Sequence, residues 1–323
     1  MRFTVSSTAL SSRLGILSRV INSKNSIAIL DCFLFEVSNG RLEITASDSE
    51  NVMKTELTLD EMEGEGSFAV NNRTILDAVK ELPEQPLTLD VNMEQMTVKV
   101  IYQNGMYNFT CQNAEEYPRS QQMGDEAATL QISEKALLDN ISRSIFAVAN
   151  EQLRLVMNGI YMDLTPESLN IVATDGRKLV RNKLFSLKSD NPRSFILQKK
   201  PATLLKNVLT KEETDVIIRF DDRNAEITFG HTMLACRLID GRYPNYASVI
   251  PEDNPYELSI DRKALIGALR RVLPFASESS QQVRLRIGTG KIEVSSEDID
   301  FATSAKEEVS CSYEGTPMSI GFM

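Results

Sequence analysis

The sequence has no tryptophan, a single histidine and only four cysteines among its 323 residues. His231 has no Cys or His near it, so neither a Cys/His zinc set nor a Ser-His-Asp relay finds support. Cys32, Cys111, Cys236 and Cys311 are far apart and form no C-x-x-C. They read as reduced core residues of a cytoplasmic protein, not as a disulfide framework. No stretch approaches the ~20 apolar residues of a membrane span, and MRFTVSSTAL at the start has no apolar signal core. There is no G-x-x-x-x-G-K-[ST] loop; Gly64-Glu65-Gly66 and Gly288-Thr289-Gly290 are short turns. Positive charge is scarce as well: 35 Lys and Arg face 45 Asp and Glu, a net charge of -10. Taken as an average, that argues against a polyanionic partner. No catalytic group, cofactor site or metal site emerges. The clusters Asp48-Ser49-Glu50, Asp221-Asp222 and Glu297-Asp298-Ile299-Asp300 leave a metal-dependent nuclease as an alternative.

What is present is repetition. Leu10, Leu137 and Leu265 each follow a short alternating strand and begin a helical ridge, and they are spaced by 127 and then 128 residues. LEITASD at 42–48 answers LNIVATD at 169–175, SFAV at 67–70 answers SFIL at 194–197, and Tyr117-Pro118 answers Tyr243-Pro244. Cys111 and Cys236 fall in matching strands, and Asp48, Asp175 and Glu297 occupy equivalent turns. A period of this length is that of a domain, so the chain reads as tandem copies over 1–122, 128–252 and 255–323. The third copy breaks off about 60 residues short of the period. Each copy opens with a strand and a helix, continues into period-2 runs such as FLFEVSNGRLEITAS with its Asn39-Gly40 hairpin signal, and adds a second strand and helix. The fold class is α+β, with two helices per copy packed on antiparallel sheets.

The average charge conceals a segregation. The helical windows 7–24, 71–82, 133–147, 198–211 and 261–273 hold 15 basic and 5 acidic residues, which leaves 20 basic and 40 acidic elsewhere. Positions seven apart lie within about 20° on a helix. Arg73 and Lys80 therefore oppose the Ile75, Val79, Leu82 ridge, Lys199 and Lys206 oppose Leu204 and Val208, and Lys263 and Arg270 oppose Leu265, Leu269 and Val272. A single such face is an ordinary solvated surface. Recurrence across copies, with the opposite bias elsewhere, points to a polyanion held by its backbone and not read by sequence. A repeat-built adaptor that binds only proteins is the other alternative.

RFTV at the N-terminus, MNG followed by IVATDGRKL within 157–179, and DGRYPNYASVIP at 240–251 resemble the bacterial sliding clamp family, the beta subunit of DNA polymerase III, and the similarity runs along the whole chain. The resemblance implies a non-catalytic replication processivity factor: three similar domains per chain, two chains head to tail in a ring around double-stranded DNA, helices lining the hole and sheets outside. It implies DNA-facing roles for Lys24, Arg73, Lys199, Lys200 and Arg154, beside Lys80, Lys206, Lys263 and Arg270 of the helical pattern. Met157, Thr174, Gly176, Arg177, Leu179, Pro244 and Val249 match the pocket where polymerase, clamp loader and other clients dock a short peptide. Tyr107 and Phe275 match apolar positions of the subunit interface, where a strand near 104–110 pairs with one near 299–309. Ser248 stands where many relatives carry a basic residue, and Glu151 replaces a neutral one near DNA. The family's C-terminal tail, which closes part of the peptide pocket, is expected to be missing. No cofactor, metal or membrane is implied.

Overall fold

The computed structural model describes residues 1–22, 25, 27–118, 123–124, 126–151, 153–212 and 214–323. Lys24 lies outside the described residues. The chain divides into two compact units, Met1–Pro244 and Asn245–Met323.

The helices are α1 (Ser7–Leu17), α2 (Asn72–Val79), α3 (Glu134–Ser144), α4 (Lys199–Val208) and α5 (Arg262–Val272). Four of them start on a side-chain cap: Ser6, Asn71, Ser133 and Asp261 accept from the backbone N–H of Ala9, Thr74, Ala136 and Ala264, which satisfies a donor that the first turn leaves free. α4, behind Gln198, has no such cap. Leu10, Leu14 and Leu17 of α1, Ile75 and Val79 of α2 and Leu137 and Ile141 of α3 are buried, so the i, i+4 ridge read from sequence is the packed face. α1 ends at Leu17, earlier than the charge window implies, because Ser18 and the following residues turn away.

In the first unit a 13-stranded antiparallel sheet joins two copies. Its second-copy strands run in the order Ala128–Ser133, Asp215–Phe220, Asn224–Phe229 and Thr232–Arg237. Thr232–Arg237 then pairs with Asn51–Thr58 of the first copy, with Thr232 opposite Thr55 and Cys236 opposite Asn51. The sheet continues through Arg41–Ser47, Cys32–Ser38, Gly66–Asn71, Gly105–Asn113, Thr97–Tyr102, Pro86–Asn92, Arg2–Ser6 and Glu61–Glu63. A separate sheet orders Leu179–Leu184, Leu169–Thr174, Gly159–Leu164 and Arg193–Gln198. One continuous core runs under both copies, from Phe3 and Phe35 to Ile171 and Leu234. Asn39 and Gly40 have φ of 51° and 74°, the left-handed pair that a two-residue type I′ hairpin needs.

The second unit carries α5 and the sheet Leu258–Ile260, Thr303–Tyr313, Lys291–Asp298, Val283–Gly288, Met318–Phe322. Its core is smaller, built on Ala268, Val272, Ile292, Val294 and Val309 with Leu265 and Leu269 half-buried.

Strand register refines two equivalences. The turn residue matching Asp48 is Asp298, not Glu297: its Oδ1 accepts from the N–H of Asp300 at 3.0 Å and Phe301 at 3.2 Å, as Asp48 accepts from Glu50 at 3.0 Å and Asn51 at 2.7 Å. Val98 pairs with Phe109 where Ala225 pairs with Cys236, so Cys236 corresponds to Phe109, and Cys111 lies two residues farther along the matching strand. All the cysteines are free, with Cys32, Cys111 and Cys236 buried and Cys311 half-buried. Burial pushes the Cys236 thiol up to about 12, so it is inert at neutral pH.

Candidate nucleic-acid and peptide interfaces

Arg73, Lys80, Lys199, Lys206, Lys263 and Arg270 are all exposed, on helices whose opposite faces supply the core. Lys80 donates to Asp77 at 2.7 Å, an i, i+3 pair on an open surface, which leaves its position on the helix face intact but halves the local charge. Lys200 departs from the expectation. Its ammonium donates to Val20 O at 3.0 Å and Asn22 Oδ1 at 2.5 Å, and it forms an ion pair with Asp48. The Asp48 side chain is only 4% exposed. Three acceptors occupy the three N–H bonds of the ammonium, so Lys200 is a tie between α4 and the first copy. A match to a family position does not say which loop of another copy reaches that side chain.

Arg154, expected to face DNA, is exposed and lies beside Gly176. Gly176 has φ +86°, and a Cβ added there would lie 3.0 Å from Arg154 Nη1 and 4.0 Å from Met157 Cε. Arg154, Met157 and Gly176 are thus one cluster, among the residues matched to peptide binding. The hairpin that carries it is strongly pinned. Thr174 Oγ1 donates to Lys178 O at 2.7 Å and accepts from Gly176 N–H at 3.0 Å. Asp175 Oδ1 accepts from Arg177 and Lys178 N–H, both at 2.9 Å, and Oδ2 takes the Lys178 ammonium. Burial alone would raise the Asp175 carboxyl, but Lys178 and these backbone donors hold it well below the usual carboxylate range. Beneath the hairpin, Tyr243 stacks on Tyr161 with ring centroids 4.6 Å apart and planes 3° from parallel.

Of the other peptide-matched residues in the first unit, Met157 and Thr174 are buried, Leu179 is half-buried, and Arg177 and Pro244 are exposed. Met157, matched to the peptide pocket, is only 7% exposed. In the second unit Val249 is 68% exposed, in the short turn Tyr246–Val249 beside the exposed Ser248. Glu151 is exposed, and its backbone is bonded twice to the Asn158 amide at 2.7 and 3.1 Å.

Tyr107 is half-buried, its ring 4.9 Å from Tyr102 and 6.2 Å from Phe109. Its strand pairs with Thr97–Tyr102 on one side over 105–110, while only Cys111 to Asn113 reach Gly66–Asn71 on the other. Among the described residues the backbone edge of 105–110 is open. Thr303–Tyr313 is similar: 303–310 pair with Lys291–Asp298, and Cys311 to Tyr313 alone pair on the far side. Met106, Ile299 and Phe301 are 58%, 84% and 77% exposed near these edges, and Phe275 is 39% exposed after α5. Sequence reading named Phe275 but missed Met106, Ile299 and Phe301, although such residues next to an unpaired strand signal a partner.

The acidic clusters are turn caps. Asp48, Asp221 and Asp298 each spend a carboxylate oxygen on backbone N–H groups, and among the described residues no group of three or more His, Cys, Asp or Glu is placed to hold a metal ion. Nor, among those residues, is any helix long and apolar enough to cross a membrane.

Tandem α+β copies with antiparallel sheets, helices whose outer faces carry cations, and open strand edges define a clamp-type protein. Comparison with known proteins places it further. The family models of the DNA polymerase III beta subunit match consecutively: the N-terminal domain over residues 1–121, the central domain over 131–245 and the C-terminal domain over 247–323. The Beta sliding clamp of Pseudomonas putida is 26% identical over 325 aligned residues, covering 100% of this chain and 87% of that protein. That of Synechococcus elongatus is 25% identical with the same coverage. The crystal structure of the DNA polymerase III subunit beta from Pseudomonas aeruginosa superposes with a TM-score of 0.94 at 25% identity, over 100% of this chain and 87% of that one. The chain belongs to the DNA polymerase III beta subunit family, the bacterial sliding clamps, which are non-catalytic processivity factors of DNA replication. The nuclease alternative has no support.

Proposed function

We propose that this chain forms a head-to-tail ring dimer that encircles duplex DNA in the bacterial cytoplasm and tethers the replicative polymerase, with its domains at 1–122, 128–252 and 255–323. The observation that carries this reading is the segregation of charge: Lys80, Lys199, Lys206, Lys263 and Arg270 project from the outer faces of α2, α4 and α5 or their ends, whereas the strands and loops hold the acidic excess. Cations on helices facing phosphates give retention without sequence preference, and the acidic remainder discourages binding elsewhere. Lys24 belongs to the same set by its match alone. Client peptides, from polymerase, clamp loader and others, dock at the cluster of Met157, Thr174, Gly176, Arg177 and Leu179, with Pro244 and Val249 assigned by their match alone; Arg154 joins this cluster on the strength of its proximity to Gly176. Tethering raises the effective concentration of a client at the DNA by orders of magnitude.

A topological test decides it. Loaded by a clamp loader onto a nicked circular duplex, the protein should stay bound through a wash at moderate salt and be lost when a restriction enzyme linearises the circle. Equal retention on circle and linear duplex would rule the ring out.

A further inference from the structure

The peptide-matched hairpin of the second copy is built again in the first. Ser47 pairs with Val52 as Thr174 pairs with Leu179. Ser49 N–H donates to Ser47 Oγ at 3.1 Å where Gly176 N–H donates to Thr174 Oγ1 at 3.0 Å. Ser49 and Gly176 also share a left-handed backbone, with φ of 83° and 86°. Tyr117 lies against the Ser47 backbone as Tyr243 lies against that of Thr174, and a proline follows each tyrosine. Register therefore sets Glu50 where the second copy has Arg177.

Against the first-copy hairpin lies a cleft of 140 Å³, walled on its other side by Ala225, Glu226, Ala235 and Cys236 of the second copy and bordered by Pro118 and Met123. That volume accepts one side chain of about leucine or phenyl size. Past Val52 and Pro118, which line both, a second cleft of 280 Å³ runs over Leu34, Thr45 and Ala114. Thr45 is 3% exposed, and its hydroxyl oxygen has no hydrogen-bond partner among the described residues, an acceptor left for an incoming donor. The charged lining is mostly acidic, Glu36, Glu50, Glu115 and Glu226 against Lys54 and Arg237. Lys54 is taken up by Glu43 at 2.7 Å and Glu226 by Arg219 at 3.3 Å, so the groove stays acidic. The Glu50 side chain is exposed and in no ion pair among the described residues.

We propose that the junction of the first and second copies is a second docking groove, for a linear peptide that carries an apolar anchor residue next to a lysine or arginine. The anchor fills the cleft between Val52, Ala235 and Met123, and the cation meets Glu50. The proposal rests on the peptide-binding reading of the second-copy hairpin. The two grooves share a backbone and differ in sign at one position: Arg177 suits acidic or neutral residues beside the anchor, and Glu50 suits basic ones. One chain then holds two kinds of client without competition between them.

The test is a nuclear magnetic resonance titration of the whole chain, labelled with carbon-13 at its methionine methyls, in which Met123 reports the first groove and Met157 the second. The probes are the blocked peptides acetyl-Ala-Leu-Lys-Ala-amide and acetyl-Ala-Leu-Glu-Ala-amide. The lysine peptide should shift Met123 saturably, with a Kd roughly threefold or more below that of the glutamate peptide. Glu50→Arg, at an exposed position, should invert that order. Ala235→Leu, which fills the cleft from a half-buried position, should abolish the Met123 response while an unaltered Met157 signal shows that the fold is kept. A Met123 signal that neither peptide moves, or that both move alike in the wild type and in Glu50→Arg, would overturn the proposal. A polymerase tail peptide that fails to move Met157 would instead remove the peptide reading of the second copy, a failure seen at a different methyl.

Discussion

Lys200 and Asp48 make a residue-scale point: a charge assigned by resemblance to one ligand can be engaged by the protein itself. The carboxylate is almost wholly buried and the ammonium about a third exposed, so the pair is worth less than a fully desolvated one but more than a surface bridge. Lys200→Met should cost about 1–3 kcal/mol in urea unfolding, and adding Asp48→Asn should cost little more, because the two share one interaction. Asp175 gives a pH signature. Its folded-state pKa lies below the unfolded value, so its contribution is complete above the ordinary carboxylate range near pH 4 and is lost as pH falls through the folded value. The stability gap between wild type and Asp175→Asn should therefore shrink on acidification from neutral pH; a gap that widens would mean that the Lys178 pairing has been misjudged. None of these partners was legible in sequence. The turns at Asp48 and Asp175 were, because Asx residues ahead of small polar turns carry a local signal, although the third was placed at Glu297 where Asp298 caps it, and a lysine 152 residues away is a tertiary fact.

Elements were read more successfully than their tertiary partners. The leucine ridges and the Asn39-Gly40 hairpin have short-range causes, and each appears where its local chemistry placed it. Glu134 at the start of α3 illustrates the limit. Burial would raise its carboxyl, yet the Thr210 N–H and the Thr214 hydroxyl, the latter at 2.8 Å, lower it, an arrangement that fastens α3 to the loop after α4. At the peptide-matched cluster, the burial of Met157 changes what its substitution reports. Met157→Ala opens space in the core and should destabilise by about 2–5 kcal/mol, confounding any binding assay. Leu179, half-buried on an edge strand, is the cleaner probe. Leu179→Ala should weaken a polymerase tail peptide several-fold by calorimetry with duplex DNA binding unchanged; equal weakening of both would indicate misfolding.

For the whole molecule, the decisive quantity is the field produced by helices of several copies acting together. Charge reversal at Lys199 and Lys206 should lower DNA affinity and flatten its salt dependence, by roughly 0.9 in the log-log slope for each phosphate that is no longer neutralised. Lys200→Met should leave that slope unaltered. A slope that fails to move in the first variant, or falls in the second, would reverse the division between DNA-facing and tying lysines.

The sequence by itself determined the copy number, the α+β class, the helix faces and the family, because each of these is written in local periodicity and in motifs that recur at a fixed interval. Only the tertiary structure decided that Lys200 is spent on Asp48, that Arg154 sits at Gly176, that Met157 is covered, and which strand edges stay open. Those outcomes depend on groups brought together from distant parts of the chain, where burial and hydrogen-bond geometry, and not spacing along the sequence, set which partner wins.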